Sequence, residues 1–195
     1  MPIRNHRGAA IVEFCLVLPI LLVIVFAIID FGRLVQARFI ITSLAREGGN
    51  LASRDIDSGT DLITMLQSGA TPLNMINSGK ICISSIQAGL TAASPLPVIS
   101  TTPAQLCSGN LNVASGISAG APNLGLIAAM YGHLVFKPAN QTADINGVTV
   151  VETFYQYTPI TPLPNFIQGI LLNNGSGAII GSSSVYCTAP LRAGQ

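Results

Sequence analysis

The start of the chain constrains it more than any other part. After Arg4, His6 and Arg7, residues 9–29 are apolar with one charged interruption, Glu13, and one proline, Pro19. At ~1.5 Å per residue this block makes a helix of roughly 31 Å, close to the ~30 Å hydrocarbon thickness of a bilayer. Within hydrocarbon a lone segment satisfies its own backbone only as a helix. The basic leader is expected to stay cytoplasmic and everything after Asp30 to lie outside. A cleaved secretory signal fits poorly, because its apolar region runs to only about 7–15 residues and ends at a small-residue cleavage site. Here Asp30-Phe31-Gly32-Arg33-Leu34-Val35 continues in a helical pattern instead. A plain signal anchor accounts for the length and the flanking charge, but not for Glu13.

A carboxylate in an apolar helix costs roughly 2.5–3.5 kcal/mol at mid-bilayer and less near its edge, which makes Glu13 a functional residue by default. If the chain is cut after Gly8, Ala9 carries a new ammonium and Glu13 is the fifth residue of the mature helix. The carboxylate can then neutralise the ammonium of a neighbouring subunit, and each charge offsets much of the other's desolvation cost.

The run Arg7-Gly8-Ala9-Ala10-Ile11-Val12-Glu13-Phe14 before an apolar helix resembles a type IV prepilin processing site. With Leu18-Pro19, Asp30-Phe31-Gly32-Arg33, Ala45-Arg46-Glu47-Gly48 and Arg54 it is similar to the TadE-like proteins of the Tad (tight adherence) pilus machinery. That resemblance implies cleavage between Gly8 and Ala9 by a prepilin peptidase. It also implies a role for Glu13 and Phe14 in assembly, and an α+β fold in which the spanning helix continues into a small antiparallel-sheet head. Major Tad-type pilins resemble little more than the helix, so a head of this size favours a minor subunit. The implied partners are the prepilin peptidase, other pilin or pseudopilin subunits, an inner-membrane assembly platform and the lipid bilayer. The implied place is the bacterial inner membrane, single-pass, with the head outside the cytoplasm and available for a surface pilus. Three regions are expected: a leader over residues 1–8, a spanning and extended helix over 9–54, and an extracytoplasmic head over 55–195.

Within that frame one helix is predicted over residues 9–52, kinked at Pro19 and weakened at Gly48-Gly49, with Phe31, Leu34, Val35, Ile41 and Ala45 at helical spacing. Asp30 and Arg33 stand one turn apart and are expected to pair. Thr60 is the expected cap of a helix over 61–68, with Leu62, Ile63 and Leu66 on one face. Strands are predicted over 80–87, 147–158 and 178–188, and a short helix over 164–172. The stretch 88–123, rich in Ser, Gly, Pro and Ala, reads as a surface loop, either a plain excursion or an adhesive feature. Val150 to Pro162 resembles, more weakly, the terminal strand of TadE-like domains.

Charged residues make up 9% of the chain, against roughly 25% in a typical soluble protein. Between Leu62 and Val151 they are Lys80, Lys137 and Asp144 alone. A net charge of +1 without a basic stripe argues against nucleic acid. Cys15 reads as a buried apolar residue in lipid, while Cys82, Cys107 and Cys187 allow one disulfide in an oxidising compartment. Cys82 with Cys107 closes the shorter loop and Cys82 with Cys187 ties two strands; both remain open. No C-x-x-C pair suggests a metal, and no cofactor motif is recognisable. His133 has no partner in view, Ser182-Ser183-Ser184 is no nucleophile elbow, and Gly175-Ser176-Gly177 lacks the context of a phosphate loop. Neither catalytic nor cofactor-binding residues are assigned, and a non-enzymatic subunit is expected. The competing readings are a pseudopilin of type II secretion and a signal-anchored binding protein that never assembles.

Overall fold

The structure, a computed structural model, describes residues 7–53, 59–101, 104–161 and 177–188. The helix predicted over 164–172 lies outside them. The described chain runs α1 Arg7–Ser53, α2 Thr60–Gly69, α3 Met75–Ser78, β1 Gly79–Gln87, β2 Val98–Ile99, β3 Leu106–Ser108, α4 Ala128–Leu134, β4 Gly147–Tyr157 and β5 Ala178–Cys187. The result is an α+β chain with one long apolar N-terminal helix and a small antiparallel sheet, as the sequence led us to expect. Two compact units draw on it, one from Met1–Ala37 and Tyr157–Ala178, the other from Arg38–Gln156 and Ile179–Gln195.

In the second unit the sheet order is β2-β1-β4-β5, with β3 also on the outer edge of β1. β1 and β4 pair antiparallel along their length, Gly79 opposite Tyr155 and Gln87 opposite Gly147. The β-branched run Val148, Val150 and Val151 suits this pleated, two-sided position. Because side chains alternate across a strand, the sheet has two faces to cover. On one, Ile81 and Val151 pack with Leu44 of α1, Leu62 and Leu66 of α2, Ala70 and Met75. On the other, Ile86, Val148 and Val150 meet Ala88, Ile117, Leu126, Leu134 and Ala143. Each fully buried aliphatic side chain contributes about 1.5–3 kcal/mol of transfer free energy.

That second face corrects the reading of residues 88–123 as surface loop. The stretch contributes β2 and β3 and buries Ala88, Leu111 and Ile117. Its apolar residues are sparse and without period, yet they land on the sheet, so the segment is a cover rather than an excursion. Two smaller expectations also change. Gly59, at φ 112°, occupies the N-cap of α2, and Thr60 is its first helical residue. A backbone entering at that φ needs glycine, and this moves the start of the helix ahead of the threonine. Phe31, placed by spacing on the packed stripe, is 60% exposed.

The Gly48-Gly49 pair, which reads as a weak point in α1, is a place of close approach. A Cβ on Gly48 would stand 2.7 Å from Leu66 Cδ1 and 3.2 Å from Val151 Cγ1, and one on Gly49 2.5 Å from the Tyr186 ring. Nearby, the Thr153 hydroxyl donates to the Ile41 carbonyl at 2.9 Å, a polar tie between β4 and α1 within the buried layer. Gly48→Ala is therefore expected to destabilise this unit by about 1–3 kcal/mol through overpacking. Gly32→Ala, whose Cβ would meet nothing within 4 Å, should be neutral or stabilising. Urea unfolding of the detergent-solubilised protein distinguishes the two; equal effects would remove close approach as the reason for the pair.

Candidate functional site

The residues singled out for processing and assembly lie at the start of α1. The helix runs through Gly8, Ala9, Glu13, Phe14 and Pro19 without a break. Residues 11–29 are exposed or half-buried, Phe14 at 64% and Ile20 at 64%. The apolar window of this helix is 0% buried, and it is long and apolar enough to cross a membrane. An all-round apolar helix surface left largely open among the described residues calls for lipid or other apolar helices. Glu13 is exposed on that surface.

At the far end of the apolar stretch stands a second carboxylate, and here the structure departs from the expected pairing with Arg33. Asp30 is 2% exposed. Its Oδ1 accepts from the Ile160 amide at 3.1 Å and the Thr161 amide at 3.4 Å, and its Oδ2 accepts from the Thr161 hydroxyl. The Tyr157 hydroxyl donates to the Asp30 carbonyl at 2.9 Å. A buried carboxylate surrounded by donors is well served, whereas an exposed i,i+3 pair with Arg33 would supply only a few tenths of a kcal/mol. The partners lie about 130 residues away in sequence, beyond the reach of spacing arguments.

A third set of polar residues holds the cover to the sheet. The Lys80 ammonium donates to the Val113 carbonyl at 2.7 Å. Glu152, 7% exposed, accepts from the Gly116 amide at 2.9 Å and from the Ser115 hydroxyl. The Gln105 amide reaches Ser84 Oγ at 2.8 Å, Ser115 Oγ at 3.0 Å and the Ile117 carbonyl at 3.0 Å. Cys82 and Cys107, directly opposed on β1 and β3, form a disulfide. Cys187 is free and exposed on β5, and Cys15 is exposed on α1. These groups satisfy irregular backbone that a buried loop would otherwise leave unpaired.

His133, read from sequence as partnerless, has one. Its Nδ1 stands 2.8 Å from Asp144 Oδ2, and Lys137 binds the same carboxylate. The Lys137 ammonium first, and the His133 ring second, hold the Asp144 carboxyl below its ordinary value. Only the three-dimensional turn between α4 and β4 brings these residues together. Among the described residues no group of three or more His, Cys, Asp or Glu is placed to hold a metal ion. A cleft of about 310 Å³ lies between Leu44 and Glu47 of α1 and Met65, Leu66, Ser68 and Gly69 of α2. Glu47 is its one titratable lining group, so no acid–base pair converges there.

Residues 8–50 match the family model described as TadE-like protein. The match covers the motif-bearing helix on which the sequence resemblance rests, and that helix is what the chain has in common with TadE-like proteins. It takes in Gly8, Ala9, Glu13, Phe14 and Asp30, but neither the sheet nor Val150 to Pro162. No curated protein and no solved structure matches the chain.

Two outcomes follow from the head's ties. The disulfide closes a loop of sequence separation 25, so Cys82→Ala with Cys107→Ala should cost about 3 kcal/mol. Cys187→Ala should cost little; the shift in urea midpoint reads both, and a midpoint unmoved by the double variant would contradict the tie. The lowered Asp144 value stabilises the fold at pH above the ordinary carboxylate value of 3.8, and that contribution fades as pH falls through the lower native value. Asp144→Asn should flatten this part of the acid limb of a melting-temperature profile, and an unchanged limb would speak against it.

Proposed function

We propose that the chain is a minor pilin or pseudopilin of a Tad-type apparatus, made as a precursor and matured by a prepilin peptidase. In this reading residues 1–8 are the leader, 9–54 the spanning and extended helix, and 55–195 the head outside the cytoplasm. The observation that carries it is the helix surface over residues 11–29: apolar all round, largely open among the described residues, and interrupted by Glu13 as its one charge. The TadE-like match over the same helix supports the assignment.

The steps use separate residues. Arg4 and Arg7 hold the leader on the cytoplasmic side of the inner membrane. Cleavage after Gly8 makes Ala9 the terminus and gives it an ammonium. Docking of the subunit beside its neighbours brings that ammonium, or a neighbour's, against the Glu13 carboxylate. Phe14 and the apolar residues after it exchange lipid for the helices of other pilin or pseudopilin subunits, with the assembly platform driving the exchange. The head then serves adhesion or secretion at the surface of the filament.

The test is mass spectrometry of the membrane-extracted protein from cells with an active prepilin peptidase, made alongside Glu13→Ala. A terminus at Ala9 in both, with only the wild type recovered in sheared filaments, is the expected result. An intact terminus near Met1 would leave a signal anchor in place of a pilin. Normal recovery of the cleaved Glu13→Ala variant in filaments would end the proposed pairing.

A further inference from the structure

The apolar block ends at Ile29, and the next residue is the buried Asp30. Within the first unit, Asp30 grips the turn that leaves β4. The amides of Ile160 and Thr161 donate to its carboxylate at 3.1 and 3.4 Å, and the Tyr157 hydroxyl to its carbonyl at 2.9 Å. A helix rises ~1.5 Å per residue, so Asp30 stands about that far beyond the last residue of the lipid-length block. The polar layer on each side of the hydrocarbon is about 5–7 Å deep, the difference between ~30 Å of core and ~40–45 Å of whole bilayer shared between two faces. A turn hydrogen-bonded to Asp30 falls within that layer whenever the helix spans.

The composition of the turn suits that depth. Thr158-Pro159-Ile160-Thr161 carries no charge that would have to be stripped of water. Ile160 is 66% exposed although it is a large aliphatic residue, and Phe31, one residue past Asp30, is 60% exposed. Large apolar side chains left uncovered at the level of the headgroups have the acyl boundary as their available apolar phase.

We propose that the turn at residues 158–161, held by Asp30, is a second membrane contact of this chain: before assembly, Ile160 sits in the headgroup and acyl boundary of the non-cytoplasmic leaflet. Lipid is its partner, by continuity with the spanning helix to which the turn is bonded. Asp30 is a positioning residue that sets the depth of the turn. The inference rests on the spanning reading of residues 9–29.

The chain has no tryptophan, so one introduced indole reports from one place. Full-length Ile160→Trp is reconstituted into phosphatidylethanolamine and phosphatidylglycerol vesicles carrying spin-labelled lipids, with the label near the headgroup or near the chain end. Val25→Trp, at an exposed position within the apolar block, reports the span. The expected result is quenching of Trp at position 160 more by the shallow label than by the deep one. Val25→Trp should show the reverse order. Adding Asp30→Ala to Ile160→Trp should weaken the shallow quenching. Quenching at 25 without quenching at 160 would overturn the membrane contact while leaving the span intact. Absence at both would remove the spanning reading and this one with it. Unchanged quenching in the Asp30→Ala background would overturn the positioning role.

Discussion

A backbone amide in hydrocarbon has no water to turn to, and the organisation of this chain follows from how that constraint is met and then lifted. Over residues 11–29, α1 satisfies its own backbone and shows apolar side chains in every direction. Pro19 sits inside this stretch with the helix continuous around it. From Asp30 onward the burial becomes one-sided: Ala37, Ile41, Leu44, Ala45 and Gly48 recur at intervals of three and four. One helix thus carries two surface patterns, one suited to hydrocarbon and one to a packed protein layer. In the second unit its small residues let the backbone approach the sheet, where Leu66, Val151 and Tyr186 occupy the space that side chains at Gly48 and Gly49 would need.

The opposite face of the sheet has a different problem. It is covered by the short helix α4 and by chain that is largely irregular, in a region with very few charges. Irregular backbone laid on an apolar face must find partners for its amides and carbonyls. Lys80 and Glu152 project from that face of the sheet and are spent on the Val113 carbonyl and the Gly116 amide. Gln105 joins Ser84 to Ser115 and Ile117, and the disulfide pins β3 beside it. The sparse charges are therefore ties between layers. Lys137 and Asp144 instead form a surface cluster with His133 at the turn before β4.

How much of this was legible in the sequence depended on whether the signal was periodic. Alternating β-branched and aromatic residues marked β1, β4 and β5 to within a residue or two, and the apolar triplet Leu62, Ile63 and Leu66 marked α2. The cover was not legible, because Ala88, Leu111, Ile117 and Leu126 follow no repeat and are separated by turn residues. Gly48-Gly49 was visible, but propensity reads glycine as loss of helix and cannot register a neighbouring ring. Pairing by spacing joined Asp30 to Arg33, whereas tertiary contact joined it to Ile160 and Thr161. Of the candidate site, the apolar helix surface around Glu13 and Phe14 is visible in the fold. The proposed pairing of Glu13 depends on a second subunit, and a single folded chain carries no trace of it.

Two carboxylates bracket the apolar stretch, and their surroundings separate folding from assembly. Asp30 is buried and receives its donors from the same chain, so its desolvation is offset once, during folding. Glu13 is exposed on a surface that lipid or neighbouring helices must cover. Left alone in lipid, such a carboxylate remains a standing cost, smaller near the bilayer edge than at its centre. In the proposed assembly a cation supplied by a docked subunit would remove that cost, and the charge that burdens the free subunit would then favour its incorporation. A neutral residue at position 13 would make the free subunit more comfortable in the membrane and take away the electrostatic reason to leave it.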